Sequence, residues 1–177
     1  MTFYFKPFMV LTAILLFASS TTIAQKRKVA KKQTRTATSN ELIKNGIILQ
    51  SRGFKIAEAY LVFDDENLVP EGNKVAVQQN VNMLLIIDSG WTENNGRVYP
   101  GSKQVLKLNT GAEILTQEEL FAAFDETGVA ADDARYITLN TSIPELKDKK
   151  KHVVVNFRLW DKKGSSEITG HYKLYVK

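Results

Sequence analysis

The chain has 177 residues, a formal net charge of +5 and no cysteine. Without cysteine it forms no disulfide, carries no lipid on a cysteine and has no thiol nucleophile. Seven of its 24 basic residues lie at or before Arg35, so the rest of the chain has 17 basic and 19 acidic residues and is close to neutral.

Residues 1–24 have the pattern of a secretory signal peptide. Lys6 is their only charged residue, and an apolar stretch fills positions 8–18. This predicts cleavage between Ala24 and Gln25, export to the periplasm or beyond the cell, and no membrane span in the cleaved protein. An N-terminal membrane anchor is the alternative, although the apolar stretch is shorter than the roughly 20 residues of a spanning helix.

Residues 25–40 form a basic segment. Six Lys or Arg side chains lie in it, and no aromatic residue stands among them to stack on nucleic-acid bases. We therefore expect a disordered linker and no nucleic-acid partner. In an uncleaved protein, these charges would favour keeping this side of the membrane in the cytoplasm.

Residues 41–177 suit a single domain. Short apolar or alternating runs are separated by Gly, Asn and Asp, a pattern that predicts antiparallel strands. The runs occupy 42–50, 54–63, 74–87, 103–109, 135–143, 152–160 and 167–176.

One segment predicts a helix instead. Thr116 and Glu119 have the spacing of a capping box, Phe121 and Phe124 share a helical face, and Gly128 suits the left-handed position after a helix. The predicted fold class is therefore mainly β: an antiparallel immunoglobulin-like β-sandwich of about seven or eight strands, with one inserted α-helix over about 116–127. A lone helix among strands argues against a parallel nucleotide-binding sheet.

The last two runs predict a hairpin around Asp161–Gly164. Pairing Trp160 with Ser165 places Arg158 opposite Glu167 on the solvent face and Phe157 opposite Ile168 on the apolar face. A slip of one residue would mix the two faces. This register assumes that no bulge occurs at Ser165–Ser166.

Patterns for catalysis or metal binding are weak. His152 and His171 fall on the solvent face of that hairpin without a neighbouring carboxylate, so we predict no metal site and no cofactor. Acidic clusters at 64–66, 125–126 and 132–133 have structural explanations at strand and helix ends. A hydrolase, which would need two such carboxylates to converge in a cleft, is a further alternative.

The stretch from Leu84 to Gly101 contains the candidate ligand-binding residues. An apolar run stops at Asp88, and two aromatic residues flank an Asn-Asn-Gly turn. An outward-pointing Trp91 would make this a binding loop, whereas an inward-pointing Trp91 would make it a corner between strands, which is the interpretation we favour. The candidate residues are Trp91, Glu93, Asn94, Asn95 and Tyr99.

With its signal peptide, its cysteine-free strands and its Asp, Gly and Asn turns, the chain resembles immunoglobulin-like or transthyretin-like sandwich modules of exported bacterial proteins. The resemblance covers residues 40 to 177 and assigns no functional residue. Because a fold of this kind hosts many unrelated functions, the function is a separate hypothesis: a non-enzymatic binding or interaction module whose partner is an unknown protein or glycan of the cell envelope. The alternative is a carbohydrate-binding module that uses Trp91 and Tyr99 as a stacking platform.

Overall fold

The computed structural model describes residues 35–36, 42–143, 145 and 152–177. The predicted signal peptide lies outside these residues, as does the predicted linker apart from two residues. All described residues belong to one compact unit, Gln33–Lys177. None of the helical segments in these residues has the length and apolar character needed to cross a membrane.

The described residues form a mainly β fold with twelve strands. Eight of the strands have five or more residues, which agrees with the predicted seven or eight. Their bounds are β1 Arg35–Thr36, β2 Ile48–Arg52, β3 Lys55–Val62, β4 Lys74–Val75, β5 Asn80–Ser89, β6 Arg97–Val98, β7 Pro100–Leu108, β8 Glu113–Glu118, β9 Val129–Ala130, β10 Tyr136–Ser142, β11 His152–Asp161 and β12 Glu167–Val176.

The long strands form the two layers of a sandwich. The large sheet has the order β1-β2-β12-β11-β7-β8, with β4 added in parallel to β12, and the small sheet has the order β10-β5-β3. Strands β6 and β9 pair separately as a short ribbon. Except for β4, all pairings are antiparallel.

The apolar core lies between the two sheets. In β5 the side chains alternate, with Val81, Met83, Leu85 and Ile87 buried and the intervening residues half-buried. Strand β11 alternates in the same way and supplies the facing layer. This alternation is the reason that the sequence pattern located the strands.

The predicted helix over 116–127 is wrong. Residues 113–118 form strand β8, which pairs with β7, and only Ala122–Phe124 makes a short 3-10 turn. A tight turn after β7, in which Gly111 has φ 88°, returns the chain beside that strand. The backbone ladder with β7 therefore outweighs a local helix signal of a few residues.

The predicted hairpin between β11 and β12 forms with its register shifted by two residues. Trp160 lies opposite Glu167, and Phe157 lies opposite Gly170. The shift arises because Asp161 continues the strand and its N–H donates to Ser166 O at 3.0 Å. An even shift leaves the inward and outward faces unchanged.

The charge pair predicted for this hairpin is also present. Arg158 Nε donates to Glu167 Oε1 at 2.7 Å, although the two residues are now diagonal neighbours. Arg52 from β2 donates to the other oxygen of the same carboxylate at 2.8 Å.

A buried polar cluster connects the two sheets. Thr141 Oγ1 of the small sheet donates to Gln104 Oε1 at 3.1 Å and lies 3.3 Å from the Tyr172 hydroxyl, both in the large sheet. Gln104 Nε2 donates to Asn140 O at 2.7 Å. Burial raises the pKa of the Tyr172 phenol above its usual 10.0, and the Thr141 contact opposes this only in part.

We expect alkaline pH to destabilise the protein through Tyr172. Above pH 10 the unfolded chain releases this proton and the folded chain keeps it, so stability is full below pH 10 and is lost as pH rises. The slope for one such proton is about 1.4 kcal/mol per pH unit. In urea unfolding at pH 9.0 to 11.5, Tyr172→Phe should flatten the decline, while the exposed Tyr136→Phe should leave it unchanged. Equal slopes for Tyr172→Phe and wild type would contradict the assignment.

Candidate ligand-binding site

Trp91 forms a corner at the end of β5. Its half-buried indole packs edge-to-face on Phe54, with ring centroids 4.6 Å apart and an interplanar angle of 67°. The indole Nε1 donates to Ala134 O at 3.1 Å. Trp91 therefore points inward, which is the orientation predicted from the sequence.

Two further segments hold this corner in place. Ser166 Oγ donates to Gly90 O at 2.6 Å, and Thr92 N donates to Asp161 Oδ2 at 2.7 Å. Asp161 is only 3% exposed, and its other oxygen accepts from Lys163 N at 2.9 Å. Asp161 therefore serves both its own hairpin turn and the neighbouring Trp91 loop.

The tip beyond the corner is a tight turn. Asn94 and Arg97 exchange two backbone hydrogen bonds of 2.8 and 3.0 Å, and Asn95 and Gly96 both have positive φ. Asn-Gly at these positions suits a type I′ hairpin turn. Of the predicted ligand-binding residues, Glu93, Asn94 and Asn95 are exposed at this tip.

The two aromatic residues of the predicted platform have different neighbours. Trp91 packs on Phe54, whereas the half-buried Tyr99 lies beneath Lys163, whose Nζ is 5.0 Å from the ring centroid. No ring contact joins Trp91 to Tyr99 among the described residues. Ligand binding at this loop stays a prediction.

The outer face of the small sheet is a second candidate, which the sequence did not reveal. A cleft of about 650 Å³ lies over it, and we name it the small-sheet cleft. The central positions align Tyr60, Leu84 and Thr138 on neighbouring strands, and the flanking Tyr136 is 57% exposed. Lys44 and Leu68 form one wall.

A ladder of amides borders this cleft. Asn80 and Asn82 each donate from Nδ2 to Asp64, at 2.8 and 3.0 Å, and Asn140 Nδ2 donates to Asn82 Oδ1 at 2.7 Å. These contacts orient the planar side chains while leaving hydrogen-bonding capacity at Asn80 and Asn140. The cleft thus has an apolar aromatic part beside a pre-oriented polar part.

A third feature is a gap along one edge of β12. This edge pairs with β2 as far as His171 and with β4 from Tyr175, so the residues between them have no strand partner on this edge within the described residues. A cleft of about 730 Å³ lies at the gap, and we name it the strand-gap cleft. Lys44 and Leu68 line both clefts, so the two clefts adjoin at these residues.

Two asparagines close the floor of the gap. Asn73 Nδ2 donates to Asn45 O at 2.7 Å and to Lys173 O at 2.8 Å. Asn45 Nδ2 donates to Val69 O at 2.9 Å and to Asn73 Oδ1 at 3.0 Å. All four amide N–H groups are therefore used within the protein.

The titratable groups do not form a metal centre in the described part of the chain, where no group of three His, Cys, Asp or Glu side chains is positioned to hold an ion. His171 lines the strand-gap cleft, and His152 packs on Tyr175 with centroids 5.2 Å apart. Of the acidic clusters, Asp64 belongs to the amide ladder and Asp125 pairs with Lys162 at 2.6 Å.

Comparisons with known proteins identify no family for this chain. No family model matches it, and no curated protein matches it. Among the solved structures that are similar is one titled "Crystal structure of the C-terminal domain of wzt", with a TM-score of 0.46 and 11% sequence identity, covering 76% of this chain and 80% of that chain. The chain is mainly β, and its resemblance to immunoglobulin-like or transthyretin-like modules stays a prediction.

Proposed function

We propose that the chain is an exported, non-enzymatic module that binds a glycan of the cell envelope in the small-sheet cleft. The observation that carries the proposal is the pairing of the apolar Tyr60 and Leu84 with the amide ladder on one open sheet face. Aromatic and aliphatic surface accepts the apolar faces of sugar rings, and fixed amides and carboxylates hydrogen-bond their hydroxyls.

Three carboxylates line the small-sheet cleft: Glu58, Asp64 and Glu66. The use of Asp64 supports the non-enzymatic part of the proposal, because it accepts hydrogen bonds from two asparagines and acts as a fixed support for the ladder. A glycosidase needs two carboxyl groups that act on the two sides of the scissile bond, and the hydrogen bonds of Asp64 make it less available for such a role. Export is proposed from the signal-peptide pattern, and N-terminal sequencing of the native protein tests it, with Gln25 expected as the first residue.

Binding is tested by affinity electrophoresis in gels that contain a panel of neutral and acidic polysaccharides. We expect at least one polymer to retard the protein and Tyr60→Ala to weaken its binding at least tenfold, because the stacking surface is lost. Tyr99→Ala is the matched control, since Tyr99 is also a half-buried tyrosine but lies at the predicted loop.

Three outcomes decide between the surfaces. Loss of binding in Tyr60→Ala with retention in Tyr99→Ala supports the small-sheet cleft. Loss of binding in Tyr99→Ala with retention in Tyr60→Ala supports the loop platform, provided that Trp91→Ala also loses binding and remains folded. Retardation by none of the polymers contradicts glycan binding altogether.

A further inference from the structure

We propose that the glycan is acidic and that the strand-gap cleft holds its anionic groups through Lys44 and Lys173. This inference rests on the proposed function. It specifies the class of ligand that binds at the two adjoining clefts. The shared chemistry is a carboxylate or phosphate group carried on a sugar chain.

The charge of the cleft supports an anionic ligand. Its walls contain Lys44, Lys173 and His171 against a single acidic residue, Glu71. Six ion pairs occur among the described residues, and neither Lys44 nor Lys173 takes part in them. Both ammonium groups are therefore available to an anion within the part of the chain that the structure describes.

The two side-chain amides of the cleft are already occupied. The side-chain N–H groups of Asn45 and Asn73 all donate to protein oxygens. A neutral sugar entering the cleft therefore gains little from these amides, whereas an anionic group gains charge-assisted hydrogen bonds from the lysines. This difference favours acidic over neutral glycans.

The remaining walls suit a sugar ring better than a bare ion. Ile48, Leu68 and Tyr175 are 55%, 52% and 42% exposed, and they line the same cleft as the cationic residues. The small-sheet cleft contains Glu58, Asp64 and Glu66 beside Lys44, so it disfavours anionic groups. Because Lys44 and Leu68 line both clefts, we place the acidic units of one extended chain beside Lys173 and its neutral units at Tyr60 and the amide ladder.

The test compares binding of three polymers by affinity electrophoresis: polygalacturonate for the carboxylate, phosphomannan for the phosphate and dextran as a neutral reference. We expect at least one acidic polymer to bind tenfold or more tightly than dextran, with an advantage that shrinks as salt rises from 50 to 500 mM. The double variant Lys44→Gln/Lys173→Gln should reduce that affinity to the level of dextran.

A charge-matched control separates a site from general attraction. Lys107→Gln/Lys177→Gln removes the same charge at residues that line neither cleft, and it should change binding less than twofold. Thermal unfolding of both double variants checks that they remain folded. Equal losses of affinity in the two double variants would contradict a specific anion site in the strand-gap cleft.

Other outcomes separate this inference from the proposed function. Equal binding of dextran and the acidic polymers, still abolished by Tyr60→Ala, overturns the anionic specificity and leaves glycan binding standing. Loss of polymer binding in Lys44→Gln/Lys173→Gln without loss in Tyr60→Ala supports binding at the strand-gap cleft and contradicts binding at the small-sheet cleft. Binding of polyglutamate as tight as that of the acidic polysaccharides overturns the glycan class, and failure of both acidic polymers to bind overturns the inference.

Discussion

Replacing Asn73 with alanine is expected to lower the free energy of unfolding by about 3 kcal/mol, because two partly buried carbonyl oxygens lose their donors and a left-handed residue loses its asparagine. Asn73 is only 6% exposed and has φ 50°. The lost hydrogen bonds are those to Asn45 O and Lys173 O.

The contacts of Asn73 explain this large effect. Its side chain reaches the edge of β12 where neither β2 nor β4 provides a backbone partner, and its own carbonyl accepts from Tyr175 N at 2.9 Å. One residue thus completes the edge of the large sheet and joins it to the loop containing Asn45. An unpaired buried carbonyl costs about 1–3 kcal/mol, and the low end applies to these two because they are only partly buried. Alanine in the left-handed region adds about 1 kcal/mol.

Urea unfolding at neutral pH measures the loss. Asn95→Ala is the matched control, because Asn95 has nearly the same φ, 51°, at an exposed turn. The control should lose only the backbone contribution of about 1 kcal/mol. Similar losses in the two variants would show that the hydrogen bonds of Asn73 contribute little.

Gly170→Ala is the second substitution with a large expected effect, about 3 kcal/mol of destabilisation by overpacking. A Cβ atom at Gly170 would lie 2.4 Å from Ile48 O and 2.6 Å from Cζ of Phe157. Phe157 is directly opposite Gly170 in the ladder, and its buried ring occupies the space above the glycine. Relief requires movement of either the β2 backbone or a packed core ring.

Gly101→Ala provides a contrast within the same sheet. There the added Cβ would meet the ring of Trp160 at 2.3 to 2.6 Å, but that ring is half-buried on the outer face. Because a surface ring can rotate away, we expect a loss near 1 kcal/mol. Thermal and urea unfolding of both variants test the difference, and equal losses would contradict it.

A second-site change examines the cause of the Gly170 effect. Phe157→Leu in the Gly170→Ala background removes the ring atoms nearest the new methyl group, so the double variant should be more stable than the sum of the single losses predicts. If the losses in free energy of unfolding of the two single variants add strictly in the double variant, the destabilisation by Gly170→Ala comes from the contact with Ile48 O alone.

The strands were predictable because burial in a two-layer fold leaves a two-residue period in the sequence. Strand β12 has the bounds predicted for it, Glu167–Val176, and the run at 74–87 divides into β4 and β5. Segment 116–118 was predicted wrongly as the start of a helix, because its capping-box spacing is local, whereas its pairing with β7 depends on the preceding turn.

The register of the β11–β12 hairpin could not be predicted from the sequence for a different reason. The alternation of β11 and β12 specified which residues face inward, and this parity survives in the structure. The two-residue shift depends on Asp161, whose carboxylate accepts from Thr92 N in a loop 69 positions away along the chain. No pattern within the hairpin contains that information.

The candidate surfaces depend even more on tertiary structure. The small-sheet cleft exists because β10 pairs with β5, and the strand-gap cleft exists because β2 and β4 occupy different parts of one edge of β12. The strands involved are distant in sequence, so their outward residues form no motif.

Local alternation and turn chemistry were enough to predict the mainly β class, most strand positions, the inward and outward faces and the preference of Trp91 for a corner. The strand order, the register, the strand at 113–118 and the two clefts that place Lys44 near Tyr60 and near Lys173 could be seen only in the folded chain. Those features depend on hydrogen bonds and packing between segments far apart in the chain, where the free energy of pairing exceeds local preference.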